Sequence, residues 1–428
     1  MKLRIYLLLI LPFFYASGFA QKDNYILLKP DRIFDGEKMQ MGWVVLIKND
    51  SIVAVGPMNF KLPSGTIITE LKNATVLPGL IEGHSHLFLH PYNETAWNDQ
   101  VLQESRAERT ARAVTHAKAT LLAGFTTVRD LGTEGAMYDD AGLKTAIEKG
   151  IIPGPRMIIA TRAIVAKGTY GPKSNNVDTE VLIGAEEVSG IESIAAAVRN
   201  QIGKGADCIK VYADYRYGLN DEAVPTFTIE ELQLMVAITN SSGRKVVAHA
   251  SSAEGMRRAV MAGVTTIEHG DAGTPEIFKL MKEKGVALCP TLAAGDAVAQ
   301  YRGWQKKSVA GGRNAEPEPE RILEKRKTFR RALDAGVIIN MGGDVGVFAH
   351  GDNAREMELM VDYGMKPIEV LRAATSVNAD VFGYGNKIGR IKPGLLADII
   401  AVEGDPAADI KNIRKIKLVI KGGKIIRE

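Results

Sequence analysis

The chain carries seven histidines in 428 residues, and four of them close short runs of β-prone residues. His84 and His86 follow Leu80-Ile81-Glu82-Gly83, His249 follows Val246-Val247-Ala248, and His269 follows Thr266-Ile267-Glu268. Asp344 ends Ile339-Asn340-Met341-Gly342-Gly343 in the same manner. An i, i+2 pair on a strand puts both imidazoles on one face, where a divalent cation can take two nitrogens. A lone His-x-His arises often by chance. Five metal-competent side chains at four strand ends form a constellation, whose bland counterpart is five unrelated residues with ordinary hydrogen bonds. Lys210 is the sixth member, inside the apolar strand Asp207-Cys208-Ile209-Lys210-Val211-Tyr212. A lone ammonium is expensive to bury there, so the amine is expected to deprotonate, to pair with an acid or to be modified. Beside two cations, a neutral amine can take up CO2 as an anionic carbamate long enough to bridge both.

The elements that position these residues share one punctuation. Amphipathic stretches end in Gly and feed a β-rich run at Gly124, Gly150, Gly205, Gly243, Gly263, Gly285 and Gly336. Gly just past a helix takes the left-handed conformation without a Cβ clash, so each marks a helix stop before a strand. Seven such joints plus a first strand near Ile81–His86 predict eight alternating strands and helices, an α/β fold closed as a (β/α)8 TIM barrel. The connections after strands are the long ones, at Leu87–Gln103, Ile164–Gly190, Ala213–Thr228 and Ala293–Pro319. Long loops at one end suit a barrel whose C-terminal face is functional. No Gly-x-Gly-x-x-Gly follows the first strand, which weakens a dinucleotide-binding alternative.

Both chain ends read as β, with turn signals at Asp35-Gly36, Asn49-Asp50 and Gly422-Gly423. Neither end has enough strands for a core, so the two are expected to form one small β-sandwich domain. The expected boundaries are a signal peptide at 1–20, β-domain at 21–76, barrel at 77–384 and β-domain again at 385–428. Lys2 and Arg4, an apolar run from Ile5 to Tyr15 and the small residues before Ala20 give the signal-peptide pattern, with an h-region too short to span a bilayer. Export to the periplasm or medium without a stable membrane anchor is the expectation. Two cysteines, Cys208 and Cys289, sit in apolar runs and are read as buried free thiols. A formal net charge of +4, evenly spread, argues against a nucleic-acid partner.

The pattern resembles the amidohydrolase superfamily across nearly the whole mature chain. Within it, Leu77–His86, Ala123–Gly132, Asp207–Val211, Val260–Gly270 and Ile388–Val402 resemble the imidazolonepropionase-like and prolidase-like (Xaa-Pro dipeptidase) branch. The resemblance implies one metal held by His84, His86 and Asp344 and a second by His249 and His269. It also implies carboxylated Lys210 and a hydroxide bridging them, with zinc the default for two divalent ions. Relatives of this branch often carry Gly-Gly-His after the third strand, where this chain reads Lys167-Gly168-Thr169-Tyr170-Gly171-Pro172.

The implied reaction is hydrolysis of an amide or peptide-like C–N bond in a small molecule, a dipeptide or an N-acyl amino acid. Asp344 is the expected proton shuttle, with Lys210 the bridge. Tyr170, Tyr212 and Tyr215 are candidate donors to an oxyanion, Arg216 a candidate partner for a substrate carboxylate, and His350 a candidate substrate contact. His90 is read as support behind the ligands and His116 as a packing residue. The rivals are a mononuclear deaminase or imidazolone-type ring hydrolase, an esterase or lactonase at the same centre, and a non-catalytic binding protein. Lys210 discriminates against the first, and the intact set of six against the last. Homo-oligomers are common among such barrels, but the sequence carries no interface signature.

Overall fold

The computed structural model describes residues 23–176, 178–304 and 317–428, so the expected signal peptide lies outside the described residues. Seven barrel strands run in parallel: β1 (Leu80–Ser85), β2 (Phe125–Asp130), β3 (Arg156–Ile159), β4 (Cys208–Tyr212), β5 (Lys245–Ala250), β6 (Thr266–His269) and β7 (Ala287–Cys289). The glycines of all seven expected joints have positive φ, as helix stops require. Helix starts follow the same local chemistry. Ser105 Oγ accepts from Glu108 N at 3.2 Å, and Thr228 with Glu231 forms a reciprocal capping box.

The eighth position departs from a regular strand. Leu288 N donates to Ile338 O at 2.8 Å and Gly83 N to Met341 O at 3.0 Å, so the segment bonds to both neighbours and closes the barrel. It does so irregularly because it approaches β1 and β7 too closely for side chains. A Cβ on Gly342 would lie 2.5 Å from Cys289 Sγ and 2.7 Å from His84 N. Buried Glu82 fastens the seam, accepting from Gly343 N at 2.8 Å and Asn353 Nδ2 at 2.9 Å.

Strand alternation divides the barrel into an inside and an outside. Ile209 and Val211 of β4 and Val246 and Ala248 of β5 join the core beneath the helices. Cys208 and Val247 face a small interior cluster with Ile158 and Ala160. Lys210 shares the parity of Cys208, so the period of two points its amine at the barrel axis.

The β-domain from both chain ends is present. Its strands form one continuous eight-stranded sheet, in which Tyr25–Phe34 pairs in parallel with Ile67–Pro78 and the latter pairs antiparallel with Ile399–Glu403. Alternate residues again separate two cores: Ile399 and Ala401 pack within the sheet's own cluster, while Ile400 and Val402 pack against the barrel.

The four long connections are not bare loops, because buried backbone needs partners. Leu87–Gln103 contains a helix at Trp97–Leu102, and Ile164–Gly190 contains strands Ile164–Ala166 and Glu186–Val188. Ala213–Thr228 folds as a hairpin of Asp214–Arg216 with Ala223–Pro225, and Ala293–Pro319 begins inside helix Leu292–Tyr301. No helix among the described residues is long and apolar enough to cross a membrane. Cys208 and Cys289 are buried and unbridged, as expected.

Candidate metal centre

All six expected ligands converge at the C-terminal end of the barrel. The rings of His84 and His86 have centroids 5.3 Å apart, His84 and His269 5.2 Å, and His249 and His269 4.5 Å. Asp344 Oδ1 lies 3.4 Å from His86 Nε2 and 3.6 Å from His84 Nε2. Lys210 Nζ stands 3.5 Å from His84 Nε2 and 5.2 Å from the centre of the Tyr212 ring. One ligand atom each from His84, His269 and Asp344 lie within 4.8 Å of one another.

Two of the ligands reach the centre by breaking strand geometry. Thr266 and Glu268 of β6 share a face, so alternation would turn His269 outward with Ile267. A left-handed backbone at His269 (φ 72°) ends the strand instead, and Asp344 (φ 62°) does the same in the eighth segment. Left-handed non-glycine residues are uncommon and persist where surrounding structure holds them, often at active sites.

The hydrogen-bond pattern tests whether a cation fits. His86 Nδ1 donates to Gly132 O at 2.8 Å, and His84 Nδ1 meets Glu268 Oε2 at 2.9 Å. His269 Nδ1 meets Thr291 Oγ1 at 2.7 Å. With Nδ1 occupied in these three rings, Nε2 is left to present a lone pair, the arrangement that metal-binding histidines adopt, whereas in His249 it is Nε2 that lies near a carboxylate, 3.7 Å from Asp214 Oδ1. Glu268 is itself held by Arg129 Nη2 at 2.8 Å and by Thr266 Oγ1.

Electrostatics agree. Burial, then the neighbouring positive groups, pushes His86 and His249 down to about 3 and His84 and His269 well below the usual range, so all four rings are neutral donors. Burial also lowers the Lys210 amine and raises the Asp344 carboxyl to about 7. Four neutral imidazoles, a carboxylate and a buried amine fit divalent cations.

Above the centre lies a cavity of about 680 Å3. Tyr170, Tyr212, Tyr215 and Arg216 line it, as the sequence suggested. Tyr170 donates to Glu134 Oε2 at 2.8 Å, and its oxygen is 3.2 Å from the Tyr212 hydroxyl. With the Tyr170 proton given to Glu134, the Tyr212 hydroxyl is the donor in its contact with Tyr170, and the Tyr215 hydroxyl also faces the cavity.

His350 does not line it, contrary to the expectation of a substrate contact. Its Nε2 donates to Leu89 O at 3.0 Å and its ring stacks on His116 at 4.3 Å. His116 is the packing residue expected, with Nδ1 2.8 Å from Leu87 O. His90 is buried, and its two ring nitrogens meet Glu94 and Glu104 rather than any of the six ligands.

Sequence reading missed Glu134, Trp97, Glu268 and Lys325. Lys325, from helix Glu320–Ala335, donates to His269 O at 2.7 Å and pairs with Asp271, bracing the left-handed turn at His269. Glu268 alone carried a signal, being an acid inside an apolar strand next to a ligand. The others sit on a loop (Glu134), at the start of a short helix (Trp97) or on an ordinary charged helix (Lys325).

Residues 75–426 match the amidohydrolase family. Ochratoxinase of Aspergillus niger is 28% identical over 431 residues, covering 92% of this chain and 84% of that protein. The crystal structure of a Xaa-Pro dipeptidase with methionine bound in its active site matches with a TM-score of 0.83 at 31% identity, over 95% of this chain and 100% of that one. A prolidase complexed with N-methylphosphonate-L-proline matches with a TM-score of 0.78 at 26% identity, over the same shares.

Proposed function

The chain belongs to the amidohydrolase family and is a hydrolase of C–N bonds; from that premise we propose an exported enzyme that uses two divalent metal ions to cleave dipeptides or N-acyl amino acids. The observation that carries the two-metal reading is Lys210. Its amine is fully buried, its hydrogen-bond-range contact among the described residues is a histidine, and it sits between His84 and the Tyr212–His249 stack. A mononuclear centre leaves that amine without a purpose. As a carbamate, it would instead supply an anionic bridge between the His84, His86, Asp344 group and the His249, His269 pair. Zinc suits this set of nitrogen and oxygen donors.

His84, His86, His249, His269, Asp344 and Lys210 would hold the divalent cations, which would supply an acidified water and a Lewis acid for the scissile carbonyl. The residues do the rest. Asp344 takes the proton of the attacking water on its carboxylate and delivers it to the leaving nitrogen. A cavity tyrosine, Tyr212 or Tyr215, donates to the carbonyl oxygen as negative charge develops on it. Arg216, at the exposed rim, meets a substrate carboxylate. The likeness to an ochratoxinase, a Xaa-Pro dipeptidase and a prolidase supports an amide or peptide substrate.

Elemental analysis of the purified protein is expected to give close to two divalent ions per chain, with hydrolysis of members of a dipeptide and N-acyl amino-acid panel. One ion at saturation sinks the two-metal reading, and turnover of esters or lactones alone sinks the amide one. Export has its own check: N-terminal sequencing of the mature protein is expected to start at Gln21. A cytoplasmic product that begins at Met1 contradicts it.

A further inference from the structure

We propose that Glu134, with the aromatic rings around it, docks a free ammonium group of the substrate, so that the enzyme selects compounds with an unblocked amine, such as dipeptides, over N-acylated ones. The proposal rests on the amide-hydrolase reading above and chooses between its two substrate classes.

Glu134 follows β2 on a tightly held loop. Its backbone is left-handed (φ 47°), and the buried Arg109 guanidinium donates to Glu134 O at 2.6 Å and to Thr133 O and Phe88 O at 3.0 Å. The side chain lines the cavity yet is only 2% exposed. Its Oε2 accepts from Tyr170 at 2.8 Å and from Trp97 Nε1 at 3.1 Å, whereas Oε1 is buried with no partner among the described residues. Both donors are neutral. A buried carboxylate oxygen without a donor is costly, and such a group in a native site calls for an explanation.

The surroundings describe the missing donor. The Tyr170 ring stands 4.8 Å from both the Tyr212 and Tyr215 rings and 5.4 Å from Trp97. A buried carboxylate oxygen that lacks a donor, in a cavity walled by aromatic rings, favours a cation through a charge-assisted hydrogen bond. Position then sets its place in the substrate. A Cβ on Gly132 would lie 3.4 Å from Glu134 Oε1 and 3.6 Å from His86 Cε1, so the unpaired oxygen and a metal-ligand ring border the same gap. In an aminoacyl compound the amine is one carbon away from the scissile carbonyl. On this reading that amine meets Glu134 when the carbonyl is at the metal centre, on the His86 side of it. An acylated nitrogen brings no charge and adds bulk.

Calorimetric titration of the metal-loaded enzyme at pH 7 with L-phenylalaninol and with its deaminated counterpart, 3-phenyl-1-propanol, tests this. Neither probe contains an amide, so binding is read without turnover. The wild type is expected to bind the amine at least about 30-fold more tightly, the scale of a buried charge pair. Glu134→Gln, which keeps the shape, is expected to bring the two probes within about threefold. Equal or undetectable binding by the wild type overturns the proposal, and so does a preference that survives in Glu134→Gln, since the amine is then held by the metal. If Glu134→Gln fails to fold, equal binding by the wild type still overturns the proposal, and Glu134→Ala takes the place of Glu134→Gln in asking whether the preference is lost. Loss of amide hydrolysis with the amine preference intact would count against the proposed function and not against this site.

Discussion

Asp344→Asn is expected to lower turnover per bound metal pair by about 10²–10⁴-fold, the range of a general acid–base group, while much of the metal is retained. The geometry separates the two jobs of this side chain. As a ligand it is one of several, with Oδ1 3.4 Å from His86 Nε2 and 3.6 Å from His84 Nε2. As a proton carrier it is the carboxylate among the six converging residues. Asn keeps an oxygen that can ligate but cannot accept the proton. It also tolerates the left-handed backbone that position 344 requires (φ 62°), so the substitution adds little strain. The measurement is turnover against the best substrate of the panel, divided by metal content. Near wild-type turnover at full occupancy would reduce Asp344 to a ligand. His350 could not then take over the proton, since its ring packs on His116 away from the cavity.

The barrel and the convergence of the six candidate ligands were legible because both follow local rules. A glycine that stops a helix and a β-rich run behind it mark each joint, and a ligand at a strand end is tied to the barrel's mouth by topology alone. His269 shows where that logic becomes incomplete. Its place at a strand end was visible, but strand period faces it outward, and what turns it inward is a left-handed backbone braced by Lys325. Nothing in the spacing of Lys325, on a helix some fifty residues later, announces that contact. Glu134 and Trp97 were invisible for the same reason, being loop and short-helix residues whose positions follow no period. His350 failed in the opposite way. Closeness to Asp344 in sequence suggested closeness in space, yet its ring packs against a helix instead of facing the cavity. In the β-domain, the share of strands between the chain ends was readable, whereas the parallel pairing of Tyr25–Phe34 with Ile67–Pro78 was not.

The second large effect concerns Lys210, and its substitution by Ala is expected to weaken both ions together and to lower activity by about 10³-fold or more. The scale follows from losing metal stabilisation worth several kcal/mol, at a factor of ten per 1.36 kcal/mol. The coupling follows from position. The amine lies 3.5 Å from His84 Nε2 on one side and faces Tyr212 on the other, whose ring stacks on His249 at 4.4 Å. A group there serves both halves of the centre or neither. An ordinary structural lysine would be paired with a carboxylate, and Lys210 has no such partner at bonding distance among the described residues. Removing a buried side chain also leaves a cavity, so Lys210→Met supplies the control. It restores most of the volume but not the bridge, and is expected to match Lys210→Ala in metal content and activity while unfolding closer to the wild type. Acetate or propionate, small enough for the space left in Lys210→Ala, should return part of both metal binding and activity by placing a carboxylate where the proposed carbamate would stand. Two ions and full activity in either variant would show that the centre needs no bridge from this strand. Loss of a single ion would show that Lys210 belongs to one half of it.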